Sequence, residues 1–146
     1  MGRGAIVLVS VLALGAAPAA QAAPPTVAFQ RPTIVRSLAG TRITSLPRGR
    51  GLQYDVRYVV RNVPARWKDA TAQVFVTLTH GTDVLRFQTR RAQTETGTWR
   101  WVVKGAGMRI PETYPAGRYK MRVRVEIRHG GIRVARVLHD RRATVR

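Results

Sequence analysis

Cysteine is absent from this sequence and acidic side chains are scarce. Its 146 residues include 7 Asp and Glu against 26 Lys and Arg, giving a formal net charge of +19. Without cysteine the chain has no disulfide bond, no thiolate metal site, no cysteine nucleophile and no lipid-modified cysteine. The length permits one domain and excludes a multidomain protein or an eight-stranded α/β barrel. Apolar residues make up 45% of the chain, which is ordinary for a folded core.

The motifs that assemble catalytic groups are also missing. There is no Gly-x-Ser-x-Gly motif, and no phosphate-binding or dinucleotide-binding glycine loop follows a strand. His80, His129 and His139 lack a metal-like partner at ligand spacing, so we expect them to face solvent, the first two at turns. Asp55 and Glu126 alternate with arginines, which favours ion pairing over paired-carboxylate hydrolysis. We therefore expect no catalytic residue, no metal site and no cofactor.

Residues 1–22 have the composition of a cleaved signal peptide. Arg3 precedes an apolar run over 5–17, and Ala20-Gln21-Ala22 matches a small-residue cleavage site. The run is shorter than the ~20 residues that cross a bilayer, so we expect no transmembrane span. Cleavage before Ala23 and export to the periplasm or the extracellular space are the expectations. Export also argues against nucleic acid as a physiological partner.

The remaining chain alternates apolar and polar residues with a period of two, which is typical of half-buried β-strands. The clearest alternation falls over 52–61, 72–78, 97–103 and 119–128. The residues predicted to face the core are Leu52, Tyr54, Val56, Tyr58, Val60, Ala72, Val74, Val76, Leu78, Trp99, Trp101, Val103, Tyr119, Met121, Val123, Val125 and Ile127. The two tryptophans are assigned to the core rather than to a sugar-stacking platform, because each indole buries ~150–250 Å². No apolar period of 3.6 residues persists for three turns, so we predict an all-β chain.

Glycine and proline mark the connections between these strands. The turn at 80–83 leads into a short strand over 84–88, and Gly130-Gly131 supplies the positive φ angles of a tight hairpin. The return strand is predicted over 132–138, with a bulge or an end near Arg136.

About seven short strands within about 100 residues fit a single two-sheet antiparallel β-sandwich. We assign the sandwich to residues 51–146. The proline- and arginine-rich segment 23–50 precedes it and is expected to hold one or two strands, over 26–30 and 41–46.

A loop containing Pro115-Ala116-Gly117 leads into a long alternating strand that carries Tyr119, and a final hairpin follows. This arrangement resembles a known one. It is similar to the last strands of bacterial extracytoplasmic immunoglobulin-like and fibronectin-III-like domains. The resemblance covers residues 52–145. It implies an immunoglobulin-like fold and a binding or spacing role outside the cell, and it brings no catalytic residues.

Positive charge is concentrated on the final hairpin. Seven cations share the polar face of its two strands: Arg118, Lys120, Arg122, Arg124, Arg128, Arg133 and Arg136. Like charges facing each other across a sheet repel, and Glu126 and Asp140 are too few to neutralise them. The pattern predicts docking on an anionic partner, an anionic envelope polymer or an acidic protein. The alternative is a solvated outer face that keeps an exported protein in solution.

These observations favour a non-catalytic exported domain that docks on anionic cell-envelope material through a basic sheet face. One alternative is a structural or assembly subunit of an envelope complex, which would pair with a partner through an edge strand. A small envelope hydrolase is the other alternative.

Overall fold

The computed structural model describes residues 23–146, and the predicted signal peptide lies outside the described residues. Within 23–146 the regular structure consists of nine strands and no helix, so no helix in this part of the chain is long and apolar enough to cross a membrane. The strands are β1 (Thr26–Ser37), β2 (Ser45–Leu46), β3 (Gly51–Val63), β4 (Thr71–His80), β5 (Asp83–Gln88), β6 (Ala92–Gln93), β7 (Gly97–Arg109), β8 (Gly117–His129) and β9 (Ile132–Val145).

The strands form two sheets, which confirms the predicted all-β, two-sheet class, and one sheet is curled into a half-barrel. The smaller sheet has the order β1-β3-β7, and the larger has the order β2-β9-β8-β4-β5, with β6 added to β4. The pairing is not antiparallel throughout, because Ser45 and Leu46 of β2 pair in parallel with the end of β9. A parallel pair needs a long connection between its strands, and here strands β3 to β8 lie between β2 and β9 in the chain.

The inner faces of the two sheets meet in one hydrophobic core, as the alternation predicted. Every residue assigned to the core from the sequence lies in it or packs against it. Trp99 is 7% exposed, and its ring packs edge-on against Tyr58 and Trp101 at centroid distances of 5.9 and 5.7 Å. Trp101 is partly buried against the same core. The core assignment of both tryptophans is therefore confirmed.

The loop before β8 forms a tight corner. The Tyr119 hydroxyl donates a hydrogen bond to the carbonyl oxygen of Pro115 at 2.7 Å, four residues upstream. Gly117 has a φ of 142°, and a Cβ there would lie 3.1 Å from Cε1 of His80. That His80 ring also stacks on Tyr119, with centroids 4.8 Å apart. Only glycine lets the backbone pass this close to the imidazole.

Two strands extend further than the sequence indicated. Strand β1 continues through Pro32, which an edge strand tolerates because its outward N–H positions need no ladder partner. Register irregularities on both sides of Arg31 absorb the proline. The segment 23–50 contributes both β1 and β2.

Strand β9 continues to Val145 rather than ending near Arg136. Its bulge lies at Val134, where the pairing shifts between Ile127 and Arg128, and the predicted position was therefore wrong. The preceding turn forms as expected, with positive φ at Gly130 and Gly131.

Candidate anion-binding face

The register of β5, β4, β8 and β9 aligns the predicted cations on the outer side of the larger sheet. Residues directly opposite in an antiparallel pair share a face. Thr77 lies opposite Arg86 on one side and opposite Arg122 on the other. We call this surface the basic face; its cations are Arg86, Arg118, Lys120, Arg122, Arg124, Arg128, Arg133, Arg136 and Arg142, and its acids are Glu126 and Asp140.

All seven cations predicted from the hairpin lie on the basic face, and two further arginines join them. Arg142 stands opposite Lys120, on the part of β9 that was not predicted as strand. The alternation would have included Arg142 if β9 had been extended. Arg86 lies on β5 and reaches the same face only through the register of β5 with β4. No feature of the sequence around Arg86 indicates that it shares a face with the cations of β8.

Glu126 is the buried centre of one ion-pair cluster. Glu126 is only 2% exposed although it lies on the outer face, because the long side chains of neighbouring arginines surround it. Its carboxylate oxygens lie 3.1 Å from Arg124 Nε and 3.1 Å from Arg128 Nη2. Arg133 Nη1 is 3.9 Å from Oε1. One acid therefore serves three cations, and the ion-pairing role predicted for Glu126 is confirmed.

Asp140 forms the second cluster, on the exposed side of the face. Arg122 binds it with two parallel hydrogen bonds, Nε to Oδ1 at 2.7 Å and Nη2 to Oδ2 at 3.0 Å. Lys120 Nζ lies 3.2 Å from Oδ2. The hydrogen bonds from Arg122, with Lys120 adding to them, hold the pKa of Asp140 well below its ordinary value. Asp140 therefore stays ionised wherever an ordinary aspartate does.

Each of the two acids contacts two or three cations, so five of the nine cations on the basic face take part in an ion pair. Four cations of the basic face make no ion pair within the described residues: Arg86, Arg118, Arg136 and Arg142. With nine cations against two acids, the face keeps a large positive excess. Its unpaired cations lie on three different strands, so the excess is spread over the surface.

A basic groove crosses this face above β4. Its volume is about 380 Å³, and its lining residues are Thr77, Thr79, Arg86, Lys120, Arg122 and Arg124. The two threonines are short, whereas the side chains on the flanking strands β5 and β8 are long, so the threonines form the floor. The guanidinium of Arg124 is held 4.5 Å over the ring of Phe75, a cation–π contact. The groove therefore combines four cations with two hydroxyls and has no acid in its lining.

Asp55 has the ion-pairing role predicted for it on the smaller sheet. Its Oδ2 lies 2.9 Å from Arg36 Nε, and its Oδ1 accepts a hydrogen bond from the N–H of Gly105 at 2.9 Å. Burial alone would raise the pKa of Asp55, but these two hydrogen bonds outweigh burial and the pKa is lowered. The carboxylate fastens β1 and a β7 bulge to β3.

The three histidines are partly exposed rather than fully solvent-facing as predicted, because each packs against an aromatic ring. His80 stacks on Tyr119, and its Nδ1 lies 2.8 Å from the carbonyl oxygen of Arg118. His129 stacks on Trp67 with centroids 4.9 Å apart, and its Nε2 lies 2.9 Å from an Asp69 oxygen. His139 meets Phe29 edge-on at 5.8 Å. Among residues 23–146 no three His, Asp or Glu side chains lie close enough to hold a metal ion.

Chemically, the basic face offers charge and hydrogen-bond donors. A guanidinium presents a planar fork of N–H groups that fits the oxygens of phosphate or carboxylate, and a lysine ammonium adds a point charge. Threonine hydroxyls on the groove floor can donate to the same oxygens. No protein-family model, no curated protein and no solved structure matches this chain.

Proposed function

We propose that this protein is a non-catalytic exported binding domain that docks on an anionic polymer of the cell envelope through the basic face. The observation that supports the proposal best is the basic groove. It brings Arg86 of β5 to the three cations of β8 over a floor of threonines. Packing alone would not require four cations to line one depression with no acid.

A polymer with repeated charges fits the distribution of the unpaired cations better than an acidic protein does. Arg86, Arg118 and Arg136 lie on different strands and at different heights of the sheet. A chain of phosphate or carboxylate groups can meet such separated charges one after another. The summed field of the face would also speed the encounter, as clustered charges of one sign do.

An immunoglobulin-like sandwich is the fold that we infer for the domain. Two features support it: the chain passes repeatedly between a three-stranded and a larger sheet, and Tyr119 bonds back to Pro115 at the start of a long strand. Immunoglobulin-like domains have Greek-key connections between two sheets and a comparable tyrosine corner. The fold is a rigid support whose outer face is free for binding.

Export is part of the same proposal and has its own test. If residues 1–22 are a cleaved signal, protein recovered from the envelope or the medium should begin at or near Ala23. Mass spectrometry of the N-terminus checks this expectation. Intact Met1 on protein from the cytoplasm, with none outside it, would contradict export.

The binding test is charge reversal at two unpaired cations, Arg86→Glu together with Arg118→Glu. Neither side chain makes an ion pair with any of residues 23–146, so the fold should survive. Each reversal replaces an attraction of about 1 kcal/mol at 4 Å in water by a similar repulsion. We expect affinity for the organism's purified anionic envelope polymer to fall by about tenfold or more. Affinity should also fall steeply with salt as the Debye length shortens from ~10 Å at 0.1 M to ~3 Å at 1 M.

Two controls make the test specific to the basic face. Arg61→Glu with Arg66→Glu reverses two exposed charges elsewhere and should weaken binding much less. Asp140→Asn releases Lys120 and Arg122 and should strengthen binding. Equal loss in both reversal pairs would show that only net charge matters. Binding that changes neither with salt nor in either reversal pair would favour the edge-strand assembly subunit. Binding to an acidic protein instead of the polymer would overturn the choice of partner.

A further inference from the structure

A second basic site lies between the edge of the smaller sheet and the end of β9, and it shares only Arg142 with the basic face. It is a cavity of about 150 Å³ lined by Ile34, Val35, Arg42, Ile43, Thr44, Leu46, Arg141, Arg142 and Ala143. Arg141 stands opposite Met121, whose side chain is fully buried, so Arg141 points to the inner side of the larger sheet. An arginine at a core-facing position requires a partner.

Arg141 has only part of the hydrogen bonding that its guanidinium needs. Its Nη1 donates to the carbonyl oxygen of Thr33 at 2.6 Å, and its Nε is buried with no partner. Within the described residues no acid lies within ion-pair distance of Arg141 or Arg42. Burial, with a smaller contribution from the charge of Arg42, lowers the pKa of Arg141. Arg141 and Arg42 therefore share this cavity with Arg142, and none of the three has a counter-charge among residues 23–146.

We infer that this cavity binds a small inorganic oxyanion, phosphate or sulfate, held by Arg141 and Arg42. The anion would supply the missing acceptor for the buried Nε of Arg141 and the missing counter-charge for Arg141 and Arg42. Arg42 and Arg142 are exposed and line the cavity, so an anion can enter from solvent. At about 30 Å³ per water the cavity equals about five waters, which suits one oxyanion and not a polymer segment.

An anion at this place would join three parts of the fold. Arg141 belongs to β9, Arg42 to the loop between β1 and β2, and Thr33 to β1. Binding would therefore fasten the edge of the smaller sheet to the larger one. The consequence is a stability that depends on phosphate or sulfate, because a ligand that binds only the folded state stabilises it. Arg141 and Arg42, which would hold the anion, do not belong to the basic face, so this inference does not rest on the proposed docking function.

The test is the thermal unfolding midpoint of the purified protein in millimolar sodium phosphate, with sodium chloride holding the ionic strength constant. We expect the midpoint to rise by several degrees and to saturate with phosphate concentration. Sulfate should act similarly, and chloride alone should not. Arg141→Met keeps the length of the side chain and removes its charge, so the phosphate-dependent rise should disappear. If Arg141→Met fails to fold, Arg42→Met provides the test instead. Its position is exposed, so this variant should fold, and its apparent phosphate affinity should be severalfold weaker.

The basic-face variant separates this site from the docking face. Arg86→Glu with Arg118→Glu should retain the full phosphate-dependent rise, even though it loses polymer binding. Two results together would overturn the cavity site. They are loss of the phosphate-dependent rise in the unfolding midpoint in that variant, and a rise that persists in Arg141→Met or keeps its phosphate affinity in Arg42→Met. Absence of any saturable rise in the unmodified protein would overturn it as well, whatever the polymer-binding result.

Discussion

Replacement of Val125 by aspartate is expected to unfold the protein at ordinary temperature. Val125 is fully buried at the middle of β8, opposite Val74 on β4 and Val137 on β9. A carboxylate there would have no cation partner and would lose its hydration, at a cost of several kcal/mol. A domain of this size has a total stability of about 5–15 kcal/mol, so one such change can remove most of it.

The measurement is chemical denaturation of the Val125→Asp variant followed by circular dichroism, and its matched control is Leu138→Asp. Leu138 is also apolar and lies on the neighbouring strand, but it is 41% exposed and stands opposite Arg124 on the outer face. A carboxylate at that position stays hydrated and meets a cation, so the midpoint should change little. If both variants lost stability equally, the inner and outer faces of this hairpin would be wrongly assigned.

Period-two alternation was sufficient to assign the inner face of most strands. It works where one side of a strand packs on the core and the other meets water, because the side-chain period then shows in the sequence. Strand β8 is the clearest case, since its five alternating apolar residues are all buried and its six charged residues form the centre of the basic face. The seven cations of the hairpin could be placed on one face for the same reason.

The same argument explains why the end of β9 was missed. Its first two inward positions after Val137 are His139 and Arg141, and neither is apolar. Both side chains have partners far away in the sequence: His139 contacts the ring of Phe29, and Arg141 donates to the carbonyl oxygen of Thr33. Alternation of apolar residues cannot reveal a strand whose inner face carries polar groups with long-range partners. The oxyanion cavity was hidden by the same polar residues.

Arg86 was missed for a different reason, which concerns register rather than alternation. Its strand β5 is short, and nothing in 83–88 specifies which residue of β8 shares its row. That row is set by β4, the strand that lies between β5 and β8, because Thr77 pairs with both Arg86 and Arg122. A groove assembled from three strands depends on long-range pairing, which the sequence of one strand does not contain.

Replacement of Glu126 by glutamine should give the largest loss of stability of any substitution on the basic face. The variant keeps the size of the side chain but leaves Arg124, Arg128 and Arg133 without their shared counter-charge. Removal of one partner from a buried pair costs about 3–5 kcal/mol. The three arginines are 33 to 48% exposed and are partly stabilised by water, so we expect about 2–4 kcal/mol. Denaturant titration measures this loss.

Asp140→Asn is the matched control, because Asp140 also serves more than one cation on the same face. Its side chain is 39% exposed and its two partners are exposed as well, so the loss should stay below about 1 kcal/mol. Equal losses at Glu126 and Asp140 would mean that burial contributes nothing to the ion-pair cluster. A much larger loss at Glu126 would show that one buried acid holds three arginines of the basic face in place. The basic face then depends on Glu126 for its shape and on its unpaired arginines for its charge.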